Sequence, residues 1–140
     1  MQNLFFRCSY LVNVSFSETF DTSQVNNMAE MFSYCQSLSN INVSSFNTSS
    51  VLNYYNMFHF NDRLTSLDLS NFEGKYSCDF NRFLFSSFLN LIYVDLSSLY
   101  SLYPECNYLT IPRFKNNGII IANSKLKDIC TNNWTIIYKD

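Results

Sequence analysis

The side chains best suited to chemistry are few and scattered. His59 is the only histidine, and no aspartate or glutamate recurs beside it in sequence. A nucleophile needs a base and an orienting group within reach, so a Cys-His hydrolase would have to be built on His59 alone. The five cysteines, Cys8, Cys35, Cys78, Cys106 and Cys130, stand more than twenty residues apart with no C-x-x-C pair. That spacing is not a metal-ligand pattern, and no metal site or cofactor is expected. An odd count leaves at least one thiol outside any pairing within the chain. Buried free thiols are the favoured reading, with Cys106 and Cys130 the pair best placed for a disulfide.

A different set of polar residues stands out by its period. Asn13, Asn40, Ser66 and Tyr93 recur at steps of 26 and 27, and Ser15, Asn42, Asp68 and Asp95 recur at the same steps. Each follows its partner by two residues, the spacing that places both on one face of an extended strand. Stacked coils would set these eight side chains in two exposed columns, which form the candidate ligand-binding face. Asp68 and Asp95 would then lie side by side. A like-charge contact near 4 Å costs from about 1 kcal/mol in water to about 4 at an effective dielectric of 20, so something must relieve it. A raised pKa, a bound cation or a cationic group on a partner would each do so. Binding is therefore expected to centre on Asp68, Asp95 and Tyr93.

The elements that would position these columns are written in the repeat. Leu38-x-x-Ile41-x-Val43-Ser-Ser-Phe46 returns as Leu64-x-x-Leu67-x-Leu69-Ser-Asn-Phe72 and as Leu91-x-x-Val94-x-Leu96-Ser-Ser-Leu99, with a looser copy from Leu11. Steps of 26 and 27 fall within the roughly 20 to 29 residues of leucine-rich repeats. Apolar residues two apart predict a strand that buries Val14, Phe16, Ile41, Val43, Leu67, Leu69, Val94 and Leu96. Between these phrases, Thr22, Val25, Met28, Met31 and Phe32 match Thr48, Val51, Tyr54, Met57 and Phe58. Their spacing of three and four predicts a short helical or 3₁₀ return. The fold class read from these patterns is an α/β solenoid: an arc with a parallel β-sheet and short helical returns, since neither half of a repeat can bury its apolar stripe alone. With two Gly and two Pro, Ser, Asn and Asp must make most of the turns through side-chain hydrogen bonds. Residues 1–102 hold about four repeats, the first partial, and residues 103–140 form a C-terminal capping segment. Ser44, Ser70 and Ser97 are expected to form a hydroxyl ladder.

Bulk properties narrow the function. A net charge of -2 offers no basic footprint for nucleic acid. The apolar run Ile119 to Ala122 is far short of the ~18 residues of a spanning helix, so no membrane span is expected. Charged residues make up only 14%, and the polarity comes from Ser, Asn and Thr. Asn13-Val-Ser15, Asn42-Val-Ser44, Asn47-Thr-Ser49 and Asn133-Trp-Thr135 read as glycosylation sequons, which matter only in a eukaryotic source.

The stretch from Phe20-Asp-Thr-Ser-Gln-Val-Asn-Asn-Met28 through Met31-Phe32-x-x-Cys35-x-x-Leu38 to Phe46 resembles the repeat of the BspA-like leucine-rich-repeat surface proteins. The resemblance runs from Leu4 to about Leu99 and weakens in the third copy. It implies a secreted or surface-displayed, non-enzymatic module for adhesion and protein or glycan binding, and a buried apolar or cysteine side chain at the position of Cys8 and Cys35. It also implies a closing segment of strand, helix and strand, here Gly118 to Ala122, Ser124 to Cys130 and Asn133 to Ile137. In that cap Trp134 would be partly buried, and Ile119, Ile121 and Ile136 would form the seal. Met1 to Leu11 matches only the latter half of a repeat, so association through an open N-terminal repeat edge is expected. A structural piece of a larger assembly, such as a fibre or phage-like particle, is the alternative reading, and a hydrolase the third.

Overall fold

The computed structural model describes residues 1–73, 89–98, 117–124 and 134–139. Six strands follow in order: β1 (Asn13–Val14), β2 (Asn40–Ile41), β3 (Ser66–Asp68), β4 (Tyr93–Leu96), β5 (Gly118–Asn123) and β6 (Trp134–Lys139). Every pairing among the described residues is parallel, β1 with β2 and then β3, β4, β5 and β6 in sequence order. Parallel neighbours require a return path between strands, and the chain supplies one per repeat. The register matches residues one repeat apart: Asn13 with Asn40, Val14 with Ile41, Ser66 with Tyr93 and Asp68 with Asp95. The architecture is solenoid-like, with one strand added to the stack by each coil.

Alternation along the strands sets the core. Ile41, Val43, Leu67, Leu69, Val94 and Leu96 are buried, whereas Val14 and Phe16 in the first coil are only partly covered. β5 continues the pattern with a different phase from the expected seal. Ile120 and Ala122 point into the core, and Ile119 is 40% exposed on the sheet face. Ile136 and Trp134 pack against the core from β6. The boundary at residues 102 and 103, the expected helix over 125–130, and Cys78, Cys106 and Cys130 lie outside the described residues.

The return wall is built differently from its expected form. Its apolar residues are buried, Met28, Met31 and Phe32 in one coil and Val51, Tyr54, Met57 and Phe58 in the next. Yet no helix forms among the described residues. In a helix every N–H would bond a carbonyl four residues back. Here alternate N–H groups part company. Met31 and Ser33 donate to carbonyls three residues behind, at Met28 and Glu30, closing tight turns. Met28, Glu30, Phe32 and Tyr34 donate instead to the carbonyls of Asn53, Tyr55, Met57 and His59 in the next coil, at 2.8 to 2.9 Å. The preceding coil repeats this through Asn3, Phe5 and Arg7 to Ala29, Met31 and Ser33.

Left-handed residues enforce the pattern. Asn3, Glu30 and Asn56 have φ of 60, 54 and 52°, and four residues later Arg7, Tyr34 and Phe60 have 60, 61 and 54°. A non-glycine side chain in that region costs roughly 1–2 kcal/mol, less for asparagine. Stacking along the solenoid offsets the cost. The Arg7 guanidinium lies 5.6 Å from the Tyr34 ring centroid, and Tyr34 stacks on Phe60 at 4.8 Å. Inside the wall, Phe5, Phe32 and Phe58 form a second stack at 5.3 and 5.5 Å with nearly parallel rings.

Polar side chains tie coil to coil where glycine and proline are scarce. The Asn61 amide, fully buried, donates to the carbonyls of Phe32 and Phe58. Cys35 occupies the equivalent position one coil earlier, and its thiol donates to the Phe5 carbonyl at 3.1 Å. Burial, with Cys8 nearby, pushes its pKa up to about 11. Cys35 and Cys8 are free thiols; the first is buried as expected, but Cys8, in the more open first coil, is exposed.

Candidate functional site

The two polar columns are formed by side chains that alternate with the core residues of the same strands, and their ends are fixed by a local device. Asn42 Oδ1 accepts the Ser44 N–H at 3.0 Å, Asp68 Oδ1 that of Ser70 at 2.9 Å, and Asp95 Oδ1 that of Ser97 at 2.9 Å. These Asx contacts end each strand and turn the chain. The serines at 44, 70 and 97 thus contribute their backbone N–H to the turns, and Ser97 adds a side-chain hydrogen bond to Asp95. The same device recurs at two other corners, at Asp21 and Asn47 and again at Asn27 and Asn53.

The strand face is not uniform. β2 and β3 belong to different sheets, so the ladder is interrupted between them. Across that seam the Asn71 amide reaches back to the carbonyls of Val43, Ser44 and Phe46, at 3.3, 2.9 and 3.1 Å. Over the seam lies an open groove of about 430 Å³, bordered by Asn40, Asn42, Ser44, Ser66, Asp68 and Tyr93. Five of the eight candidate residues therefore share one depression. Ser15 borders a second depression, of about 310 Å³, together with Asn42 and Ser44. Asn13 is exposed on β1, opposite Asn40.

Asp95 departs from expectation. It is 3% exposed, although it lies in the column that alternation turns outward. β5 covers it on one side, with Ile121 as its register partner, and Lys139 Nζ reaches its Oδ2 at 3.2 Å. Burial pushes its carboxyl up, but the Ser97 hydrogen bonds and the Lys139 ammonium outweigh that and hold it below the ordinary value. The cationic partner of Asp95 is thus supplied within the chain, by Lys139. No local pattern near Asp95 pointed to this lysine, which arrives two strands away on β6. Tyr93 is half-buried at the groove wall. Burial first, then the charges of Asp95 and Asp68, raise its pKa and keep the phenol protonated.

His59 lies on the return wall, away from these columns. Its ring packs edge-on to Tyr34 at 5.4 Å and to Phe60 at 4.2 Å, and burial lowers its pKa against the opposing pull of Glu30. Among the described residues no three His, Cys, Asp or Glu side chains converge as a metal site, and no helix is long and apolar enough to cross a membrane.

Stacked coils and parallel pairing give the described residues a solenoid-like parallel-β architecture, with an open polar groove on the strand face. Residues 1–91 match the family model described as Mycoplasma protein of unknown function, DUF285, and the chain belongs to that family. No curated protein and no solved structure matches the chain.

Proposed function

We propose that this chain is a non-enzymatic binding module of leucine-rich-repeat type, displayed at a cell surface, that engages a protein or glycan ligand through its strand face. The carrying observation is the seam groove, which Asn40, Asn42, Ser66, Asp68 and Tyr93 line together over a buried core. Solenoids commonly use such a face for recognition. The resemblance to BspA-like surface proteins supports the adhesive role and the extracellular location. The experiment is adhesion of the chain, displayed on beads, to host cells. Ser66→Arg and Asn40→Arg should each abolish capture by filling the groove while leaving the melting temperature unchanged. Unchanged capture by both variants would overturn the reading.

A structural role in a larger assembly is the second reading, favoured by apolar side chains on the outward face of the last strands, where Ile119 and Ile137 are 40 and 45% exposed. Contiguous apolar surface marks association sites. Sedimentation showing concentration-dependent growth, suppressed by Ile137→Lys, would favour it.

A further inference from the structure

The chemistry of the seam groove narrows the ligand. Asn42 spends its carbonyl oxygen on the Ser44 N–H, which turns its NH₂ group away from the turn as a pair of donors. Asp68 spends one oxygen on the Ser70 N–H and retains the second as a charged acceptor. A fixed donor and a fixed acceptor therefore face the same depression, one from each side of the interrupted ladder. Because backbone bonds already hold both side chains, little rotamer entropy remains to be lost on binding.

The lining excludes other ligand chemistries. It holds one carboxylate and no cationic side chain, so nothing charged offsets the repulsion an anion would meet from Asp68. One carboxylate among amides and hydroxyls is a poor cage for a divalent cation, which favours several charged oxygens. The two apolar residues at its border, Ile41 and Val43, are 7% and 1% exposed and belong to the core, so an apolar peptide side chain finds no seat. A single cationic group would pair with Asp68 but leave the amide donors of Asn40 and Asn42 unused, so the lining as a whole suits a neutral molecule rich in hydroxyls. A vicinal diol suits the pair well: one hydroxyl donates to Asp68 while its neighbour accepts from Asn42. Tyr93 offers a half-buried ring against which the C–H face of a sugar can lie. The volume of about 430 Å³ is within the range of roughly 300–1,000 Å³ typical of small-ligand sites.

Resting on the reading that the strand face binds, we propose that the seam groove is a carbohydrate site for a neutral pyranose, bridged between the Asn42 amide and the Asp68 carboxylate and packed on Tyr93. The test is an NMR titration of the whole chain with the methyl glycosides of glucose, galactose, mannose and N-acetylglucosamine, with sialic acid as the anionic probe. At least one neutral glycoside should shift the amides of Ser44 and Ser70. Asp68→Asn and Tyr93→Ala should each weaken it about tenfold or more, the loss of a charged hydrogen bond or a packing face, while Glu30→Gln on the return wall leaves it unchanged. No shift in the groove with any neutral glycoside, or tighter binding of sialic acid, overturns the proposal. Host-cell capture before and after enzymatic removal of surface glycans separates the two levels. Capture that survives glycan removal yet is abolished by Ser66→Arg keeps the strand-face reading and rejects the carbohydrate; capture indifferent to Ser66→Arg rejects both.

Discussion

The strand face divides into two halves with the same repeat and opposite surfaces. From β1 to β3 its outward columns are Asn, Ser and Asp side chains bordering open grooves. From β4 to β6 the same columns continue as Tyr93 at the groove wall and a buried Asp95, then Ile119 and Ile121 on β5 and Thr135 and Ile137 on β6. Strand continuity accounts for the contrast. β5 and β6 pair over six residues and extend one four-stranded sheet, whereas β1 and β2 pair over two and stop at the seam. A carboxylate flanked by short strands stays wet; its neighbour, flanked by a long one, is covered and must find a cation inside the chain.

The largest expected effect falls on the sealed half. A Cβ added at Gly118 would lie 2.6 Å from the Ile92 carbonyl oxygen and 2.8 Å from the Trp134 ring. Backbone cannot yield as a side-chain tip can, so Gly118→Ala should cost about 3 kcal/mol. Urea denaturation gives the number. A loss below a few tenths would mean that β5 and β6 do not lock the sheet as described.

Asp95 and Asp68 offer the direct contrast within one column. Asp95→Ala removes a buried acceptor and strands the Ser97 N–H, for about 2 kcal/mol, whereas the exposed Asp68→Asn should fall within about 0.5. The pH dependence follows from the depressed pKa of Asp95. Its contribution is fully present above the unfolded value, about 3.9, and is lost as pH falls through the lower folded value. Acid titration of stability should therefore steepen below about pH 4 in the parent and flatten there in Asp95→Asn. Equal costs at the two aspartates would erase the distinction between the halves.

Asn71→Ala probes the seam itself. Three carbonyls lose their shared donor, and about 1.5 kcal/mol should go with it. Hydrogen exchange should quicken around β2 more than around β4. Equal protection loss in both would show that the seam is not a local boundary.

The smallest effect concerns the return wall behind the open half. Glu30→Gly removes a left-handed side chain and should raise stability by up to about 1 kcal/mol, less the entropy glycine adds to the unfolded chain. Tyr34→Gly should not gain, because Tyr34 stacks on Phe60 and contacts Arg7. Thermal melts of the two variants side by side decide it.

Much of the fold was legible because parallel stacking preserves sequence period. The 26- and 27-residue steps placed Asp68 opposite Asp95 and Ile41 opposite Val14, and two-residue alternation named the inward residues of β2, β3 and β4. Five candidate residues shared a groove for the same reason: register carries a column intact from coil to coil. The return wall was misread because a spacing of three and four marks the inward side of a chain of tight turns as well as that of a helix. Inter-coil hydrogen bonds and paired left-handed residues decided between them, and neither leaves a periodic trace when Glu, Tyr, Arg and Phe occupy the left-handed sites. The burial of Asp95 was likewise beyond local pattern, since it depends on a lysine 44 positions away. Sequence determined what repeats and which side of each strand faces the core, because those follow from the chain's own period. Tertiary structure alone decided where the ladder breaks and which polar side chain is covered, because both depend on strands that arrive from distant parts of the chain.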